Sequence, residues 1–176
     1  MFGKQDLFTE IFIEKHEITH FVSFSLHQTF NAHHQFELKV EHGRLGMPGL
    51  ISLDDYRDFV GKALLVSCGH DQVNMQNFRG LITDVSLSQS HGYQGVVVIK
   101  GYSSTVLIDR GKDLGSYHDR SLDDIVRHAT KEIQEHDVYL QINPKRKKSI
   151  DYVIQYKESD FDFLNRLSAE YFEWFY

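Results

Sequence analysis

Eleven histidines and one cysteine are the metal-binding candidates in this 176-residue sequence. His33-His34 is the one adjacent pair, with His16, His20 and His27 close by in sequence. Neighbours on a strand point to opposite faces, so the pair is a poor chelator. A lone cysteine, Cys68, builds neither a cysteine-rich zinc site nor an internal disulfide framework. The nucleophile elbow of serine hydrolases places its serine in Gly-x-Ser-x-Gly order, which is absent here. Gly101-Tyr102-Ser103-Ser104 and Gly115-Ser116-Tyr117-His118 both lack the second glycine. The acids Glu158, Asp160 and Asp162 resemble a metal cluster, but charge at a helix N-terminus explains them more simply. Lys145-Arg146-Lys147-Lys148 could hold a polyanion. Beside Pro144 and between two strands it reads as a solvated loop, or as an electrostatic contact with a partner subunit. The aromatics Phe161, Phe163, Tyr171, Trp174 and Phe175 suit a core or a subunit interface better than a ligand-stacking platform. No residue is assigned as catalytic, cofactor-binding or metal-ligating.

The elements that would position these side chains are mainly strands. Phe8–Ile13 is an apolar run, and Phe21–Leu26 alternates Val22, Phe24 and Leu26 with Ser23 and Ser25. The clearest strand is 35–41, with Phe36, Leu38 and Val40 facing in and Glu37, Lys39 and Glu41 facing out. Gly43 to Gly49 reads as a loop, and Ser52 to Phe59 as a short capped helix. Ala63–Cys68 is expected to be a buried strand with an inert thiol at its end. After a polar turn at 69–77, Phe78–Leu87 and Tyr93–Tyr102 are strands joined by the hairpin connection Ser88–Gly92. Strands at this spacing, with no long helix between them, predict a barrel or sandwich.

The pattern changes near Asp109 to Gly115. Ser121 and Asp124 form a cap-and-acid box, and Leu122, Ile125, Val126, Ala129 and Ile133 predict a helix over 122–135. Strands are expected at Val138–Ile142 and Ile150–Tyr156. In the second, Tyr152, Ile154 and Tyr156 alternate with Asp151, Gln155 and Lys157, as on a half-buried strand. Ser159 and Asp162 then cap a helix whose Phe161, Leu164, Leu167 and Tyr171 share one face. A last strand is expected to start at Glu173. The fold class expected is mainly β with α (α+β): a β-barrel domain over 1–108, then part of a second, mixed domain with two helices over 109–176.

Composition sets outer bounds. A content of 41% hydrophobic and 13% aromatic residues supports a real core. The net charge of -6 argues against a nucleic-acid-binding surface as the main function. The start of the sequence lacks an apolar stretch of signal-peptide length, which points to synthesis in the cytoplasm. The aromatic run Trp174-Phe175-Tyr176 reads as a cut end whose side chains further sequence would cover.

The run from Asp151 to Tyr171, with Glu158-Ser159-Asp160-Phe161-Asp162-Phe163-Leu164 at its centre, resembles the signature of the VgrG family. These are spike proteins of type VI secretion, related to the tail hubs of contractile phages. Three further stretches resemble the family in order: His34–Val40, Phe78–Val85 and Asp119–Val126. One departure is Phe172, where the family pattern has glycine and where positive φ would be needed. The resemblance implies a trimeric hub of β-barrel domains. It implies docking of one end on the tube protein Hcp, contact with baseplate proteins, and a C-terminal spike tipped by a PAAR-repeat protein that carries effectors. It implies no catalytic residues and no cofactor, and secretion or injection by the type VI apparatus. A phage or prophage tail hub is the alternative within that fold. A monomeric β-barrel ligand-binding module or hydrolase is the alternative outside it.

Overall fold

The computed structural model describes residues 8–42, 56–70, 75–88, 95–134 and 137–175. The expected loop at 43–49, the start of the helix at 52–59, residues 71–74 of the turn at 69–77, the connection after Ser88 and the last residue lie outside these. The chain divides into two compact units, one of Met1–Gln28 and His33–Ser103, the other of Thr29–Ala32 and Ser104–Tyr176.

Among the described residues the first unit holds seven strands: β1 (Phe8–Ile13), β2 (His16–Glu17), β3 (Ser23–His27), β4 (Gln35–Glu41), β5 (Ala63–Gly69), β6 (Gln76–Ser88) and β7 (Val96–Ser103). They form one sheet in the order β2-β1-β5-β6-β7-β4-β3, with every pairing antiparallel. The sheet curls into a half-barrel. Its concave core follows the period-two pattern: Ile11 and Ile13, Phe36, Leu38 and Val40, Leu64 and Val66, Val97 and Ile99. Tyr56 and Phe59 fill it from beside the sheet.

Two devices bend this sheet. In β6 the register against β7 shifts between Ile82 and Asp84. The extra residue moves the buried parity from Gly80 and Ile82 to Val85, and such a bulge sharpens local twist. The second device is a pair of glycines under one ring. A Cβ on Gly80 would lie 2.5 Å from the Phe36 ring, and one on Gly101 would collide with that ring and with the Leu81 carbonyl. Phe36 pairs with Gly101 in the ladder, so its ring lies flat on backbone that only glycine leaves bare. On the outer face Glu37 bridges Lys39 at 2.9 Å and Lys100, its cross-strand partner, at 3.2 Å.

The second unit holds a 3-10 turn (Ser104–Ile108), β8 (Lys112–Arg120), α1 (Leu122–Ala129), β9 (Ile150–Ser159) and α2 (Asp160–Glu170). β8 and β9 pair antiparallel as a two-stranded ribbon. Ile108, Tyr117, Leu122, Ile125, Ile150, Val153, Phe161, Phe163, Leu164 and Leu167 form its core. Both caps are as the sequence suggests. Ser121 Oγ accepts from Asp124 N–H, and Ser159 Oγ accepts from Asp162 N–H at 3.2 Å.

Three expectations change. The helix expected over 122–135 stops at Ala129, because Thr130 takes the cap and its hydroxyl also donates to the Val126 carbonyl. Residues 138–142 are not a strand: Leu140 packs on the core from irregular chain that makes no ladder. Residues 173–175 are not a strand either. β8 is a strand that the sequence pattern leaves unmarked, because Asp113, Leu114, Gly115, Ser116 and Tyr117 carry no clear alternation.

Candidate assembly surface

The local geometry of β9 decides which side chains face out. Its alternation is real but its polarity is inverted relative to the sequence reading. Val153 and Gln155 are buried, while Tyr152, Ile154 and Tyr156 are 52%, 45% and 63% exposed. Across the ladder Leu114 lies opposite Tyr156, Ser116 opposite Ile154 and His118 opposite Tyr152. Leu114 is 63% exposed, and the His118 and Tyr152 rings meet at 4.5 Å between centroids. One ribbon face therefore carries a continuous apolar and aromatic row.

A buried polar group sets that polarity. Gln155 Nε2 donates to Asp160 Oδ1 at 2.9 Å and to the Glu158 carbonyl at 3.3 Å. Asp160 is itself buried, with Arg110 at 3.6 Å, and Arg110 also pairs with Glu132. A buried amide is tolerated only when its hydrogen bonds are made, and here α2 supplies the acceptor. Burial, with the charges of Asp160 and Asp113, pushes the Tyr117 hydroxyl pKa up.

Lys157 adopts φ 51, and the register shifts between Asp113 and Leu114. This bulge turns Ser159 inward as the cap of α2. Arg166 on α2 then reaches back to β9. Its Nε and Nη2 donate to the two Glu158 oxygens at 3.1 and 2.5 Å, and Nη2 also donates to the Ile154 carbonyl at 2.7 Å. The guanidinium holds the Glu158 carboxyl below its usual range. The ribbon is thus braced from its inner side, and its outer row needs no support from within the unit.

The residues weighed for chemistry are scattered. His33 and His34 sit on the irregular chain before β4, so strand geometry does not separate them. His34 Nδ1 meets Gln28 Nε2 at 3.4 Å, and the His33 ring meets Tyr102 edge-on. Burial, then the neighbouring His33, lowers the His34 pKa. The order His16-Glu17-Ile18-Thr19-His20 has the spacing of a zinc-peptidase helix, a signal the sequence reading passed over. His16 and Glu17 form β2 and irregular chain follows, so the motif lacks the helix its chemistry requires. Among the described residues no group of three histidine, cysteine or acidic side chains could hold a metal. Gly101–Ser103 lies within β7 and Gly115–His118 within β8. Cys68 is half-buried in β5 rather than fully buried. Phe161 and Phe163 are core, Phe175 packs on Phe161 at 5.3 Å, and Trp174 stays 70% exposed against Phe30 at 5.7 Å.

The Lys145–Lys148 stretch is not a loose loop. The carboxylate of Glu173 accepts from the Lys145 N–H at 3.0 Å and the Arg146 N–H at 2.7 Å. The Arg146 guanidinium lies 4.7 Å over the Tyr171 ring. Those two N–H groups hold the Glu173 carboxyl below its usual range.

Residues 35–176 match the family model described as phage tail baseplate hub (GPD). No curated protein matches at a significant level. Solved structures similar to this chain include the following three. One is the E. coli c3393 protein, described as a component of the type VI secretion system with similarity to the T4 bacteriophage tail proteins gp27 and gp5. It is 14% identical, with a TM-score of 0.59, over 94% of this chain and 43% of its own. The second is a tail protein from Neisseria meningitidis MC58, 10% identical, with a TM-score of 0.66, over 90% of this chain and 43% of its own. The third is a chain of the Francisella PdpA-VgrG complex, 13% identical, with a TM-score of 0.53, over 93% of this chain and 25% of its own. This chain thus spans less than half the length of each.

Proposed function

This chain belongs to the phage tail baseplate hub (GPD) family, and on that premise we propose that it is a structural hub of a type VI secretion spike. The family match over residues 35–176 carries the reading, and the VgrG-like run 151–171 directs it to secretion. On this reading residues 1–108 are one hub domain and 109–176 part of a second. Three copies assemble, one end of the trimer docks on the tube protein Hcp, and the hub contacts the baseplate. A PAAR-repeat tip and effectors join through C-terminal sequence. The protein is injected with the spike and turns over no substrate. Among the described residues no helix is long and apolar enough to cross a membrane.

The ribbon face of Leu114, Tyr152, Ile154 and Tyr156 is the surface we assign to packing against a second copy. Its four large side chains uncover on the order of 400 Å², the size of the largest apolar patch on a typical monomer, which is often functional. That is about half of what one partner contributes to a standard interface. Ile154→Glu with Tyr156→Glu should leave the thermal midpoint within a few degrees and weaken self-association at least tenfold, read by sedimentation. Unchanged association would remove the face from the interface.

Deletion of the gene tests the function. Loss of tube protein from the culture medium supports the secretion spike. Intact tube secretion with loss of tail particles after prophage induction supports a prophage tail hub, the reading favoured by the likeness to the Neisseria tail protein.

A further inference from the structure

Residues Thr29–Ala32 belong to the second unit, although the chain on both sides of them belongs to the first. They form a strap that leaves β3 and returns to β4. Asn31 turns its tip with φ 59, a conformation that asparagine tolerates. Phe30 sets its ring against Trp174 at 5.7 Å between centroids. Trp174 is fixed through its chain neighbours: Glu173 accepts from the Lys145 and Arg146 N–H groups, and Phe175 packs on Phe161. The base of the strap is fastened at His34. The His34 N–H donates to Ser103 Oγ at 3.1 Å, and the Ser103 N–H donates to the His34 carbonyl at 2.8 Å. With the His34 backbone held in this way, its ring closes the loop 28–34 through Nδ1, 3.4 Å from Gln28 Nε2.

We propose that this strap is a proton-operated latch: Phe30 rests on Trp174 while the His34 ring is neutral, and withdraws when that ring takes up a proton. A neutral ring with Nδ1 unprotonated accepts from the Gln28 amide. The imidazolium carries a hydrogen on each nitrogen and accepts nothing, so it opposes the amide N–H it faces. The titratable groups around it offer the charge no partner. His33 precedes it, and His27 on β3 and Tyr102 on β7 both lie opposite Gln35. None of these is a carboxylate, and no carboxylate among the described residues pairs with His34. Burial and then His33 disfavour the charged ring in the closed strap. The linkage therefore has one sign. Closure is complete above the ordinary histidine value of about 6.5 and is lost as pH falls through the lowered one. An exposed ring pair is a weak contact, so the bond at the base decides whether it is made. Opening frees the Trp174 ring beside the already exposed Phe172.

Trp174 is the one tryptophan in the sequence, so its emission reads the latch directly. The full-length protein is followed by fluorescence from pH 8 to pH 5, with Trp174→Phe as the blank and far-ultraviolet circular dichroism as the check on the fold. The expected result is a red shift of the emission as pH falls, with a midpoint at or under about 6.5 and constant circular dichroism. Phe30→Ala should give the acid spectrum at every pH. His34→Gln keeps an acceptor for the Gln28 amide but no titrating ring, and should remove the transition. His33→Gln should keep it and move it to slightly higher pH. Gln28→Glu should reverse it, because a carboxylate at that position accepts from the imidazolium and acid then tightens the strap. Emission independent of pH in the wild type, or a transition that survives His34→Gln, would overturn the latch. So would a Phe30→Ala spectrum equal to that of the wild type at pH 8, since the ring contact would then be absent in solution. A transition that coincides with loss of the circular dichroism signal is unfolding and overturns it as well.

Discussion

At the scale of single residues, Phe172 is the position where chemistry and geometry disagree most. It follows the C-cap Tyr171 with φ 56 and is 91% exposed. Glu173 N–H donates to the Ser168 carbonyl at 2.8 Å and Phe172 N–H to the Ala169 carbonyl at 3.4 Å. These are the two bonds of a Schellman motif, whose left-handed residue is normally glycine. The structure thus imposes on Phe172 the conformation for which the family pattern supplies glycine. The left-handed conformation costs a side-chain-bearing residue roughly 1–2 kcal/mol, part of which glycine gives back as entropy in the unfolded chain. Phe172→Gly is expected to stabilise by about 1 kcal/mol, raising the thermal midpoint by roughly 2–4 °C. A scan by calorimetry checks it. An unchanged or lower midpoint would mean that the exposed ring makes contacts worth keeping.

At the scale of elements, the curled sheet depends on close approach at β4, β6 and β7. The Phe36 ring covers Gly80 and Gly101, which have no side chains to hold it off. Gly101→Ala puts a methyl group against the Leu81 carbonyl, which is backbone and yields little. Overpacking of this kind costs at least about 2 kcal/mol. Urea unfolding followed by far-ultraviolet circular dichroism should show a lower midpoint than for Leu65→Ala, a change of an exposed side chain in the same sheet. Equal midpoints would mean that the sheet opens at no cost. The ribbon shows the opposite case: its polarity follows from the buried Gln155–Asp160 bond, not from which face is the more apolar.

At the scale of the whole molecule, charge links stability to pH. Glu37, Glu158 and Glu173 have folded pKa values lowered, first by Lys39 for Glu37, by Arg166 for Glu158 and by the Arg146 N–H for Glu173. The unfolded chain then takes up protons first. Their contribution is intact above the ordinary glutamate value of about 4.3 and is lost as pH falls through the folded values. His34 is lowered too, by burial and by His33. Its contribution is intact above about 6.5 and shrinks below it. Stability should therefore slip slightly under pH 6.5 and fall further under pH 4.3, read as the urea midpoint across a pH series. Glu158→Gln should flatten the lower limb. A midpoint independent of pH between 3 and 7 would exclude these pairs as stabilising.

The sequence by itself determined the local features that rest on local physics. Period two marked β4 to its ends, the serine caps marked both helix starts, and the run from Asp151 to Tyr171 marked the family. Each of these is settled by a few neighbours in the chain. Tertiary structure alone decided which face of β9 is covered, because the deciding partner, Asp160, lies around a turn on α2. It alone decided that β8 is a strand, because β9 supplies the ladder that its own side chains do not announce. It also denied His16 and His20 a helix and tied Lys145–Lys148 to Glu173, 27 residues beyond Arg146. In each case the contact that settles the outcome joins residues whose meeting no period or spacing encodes.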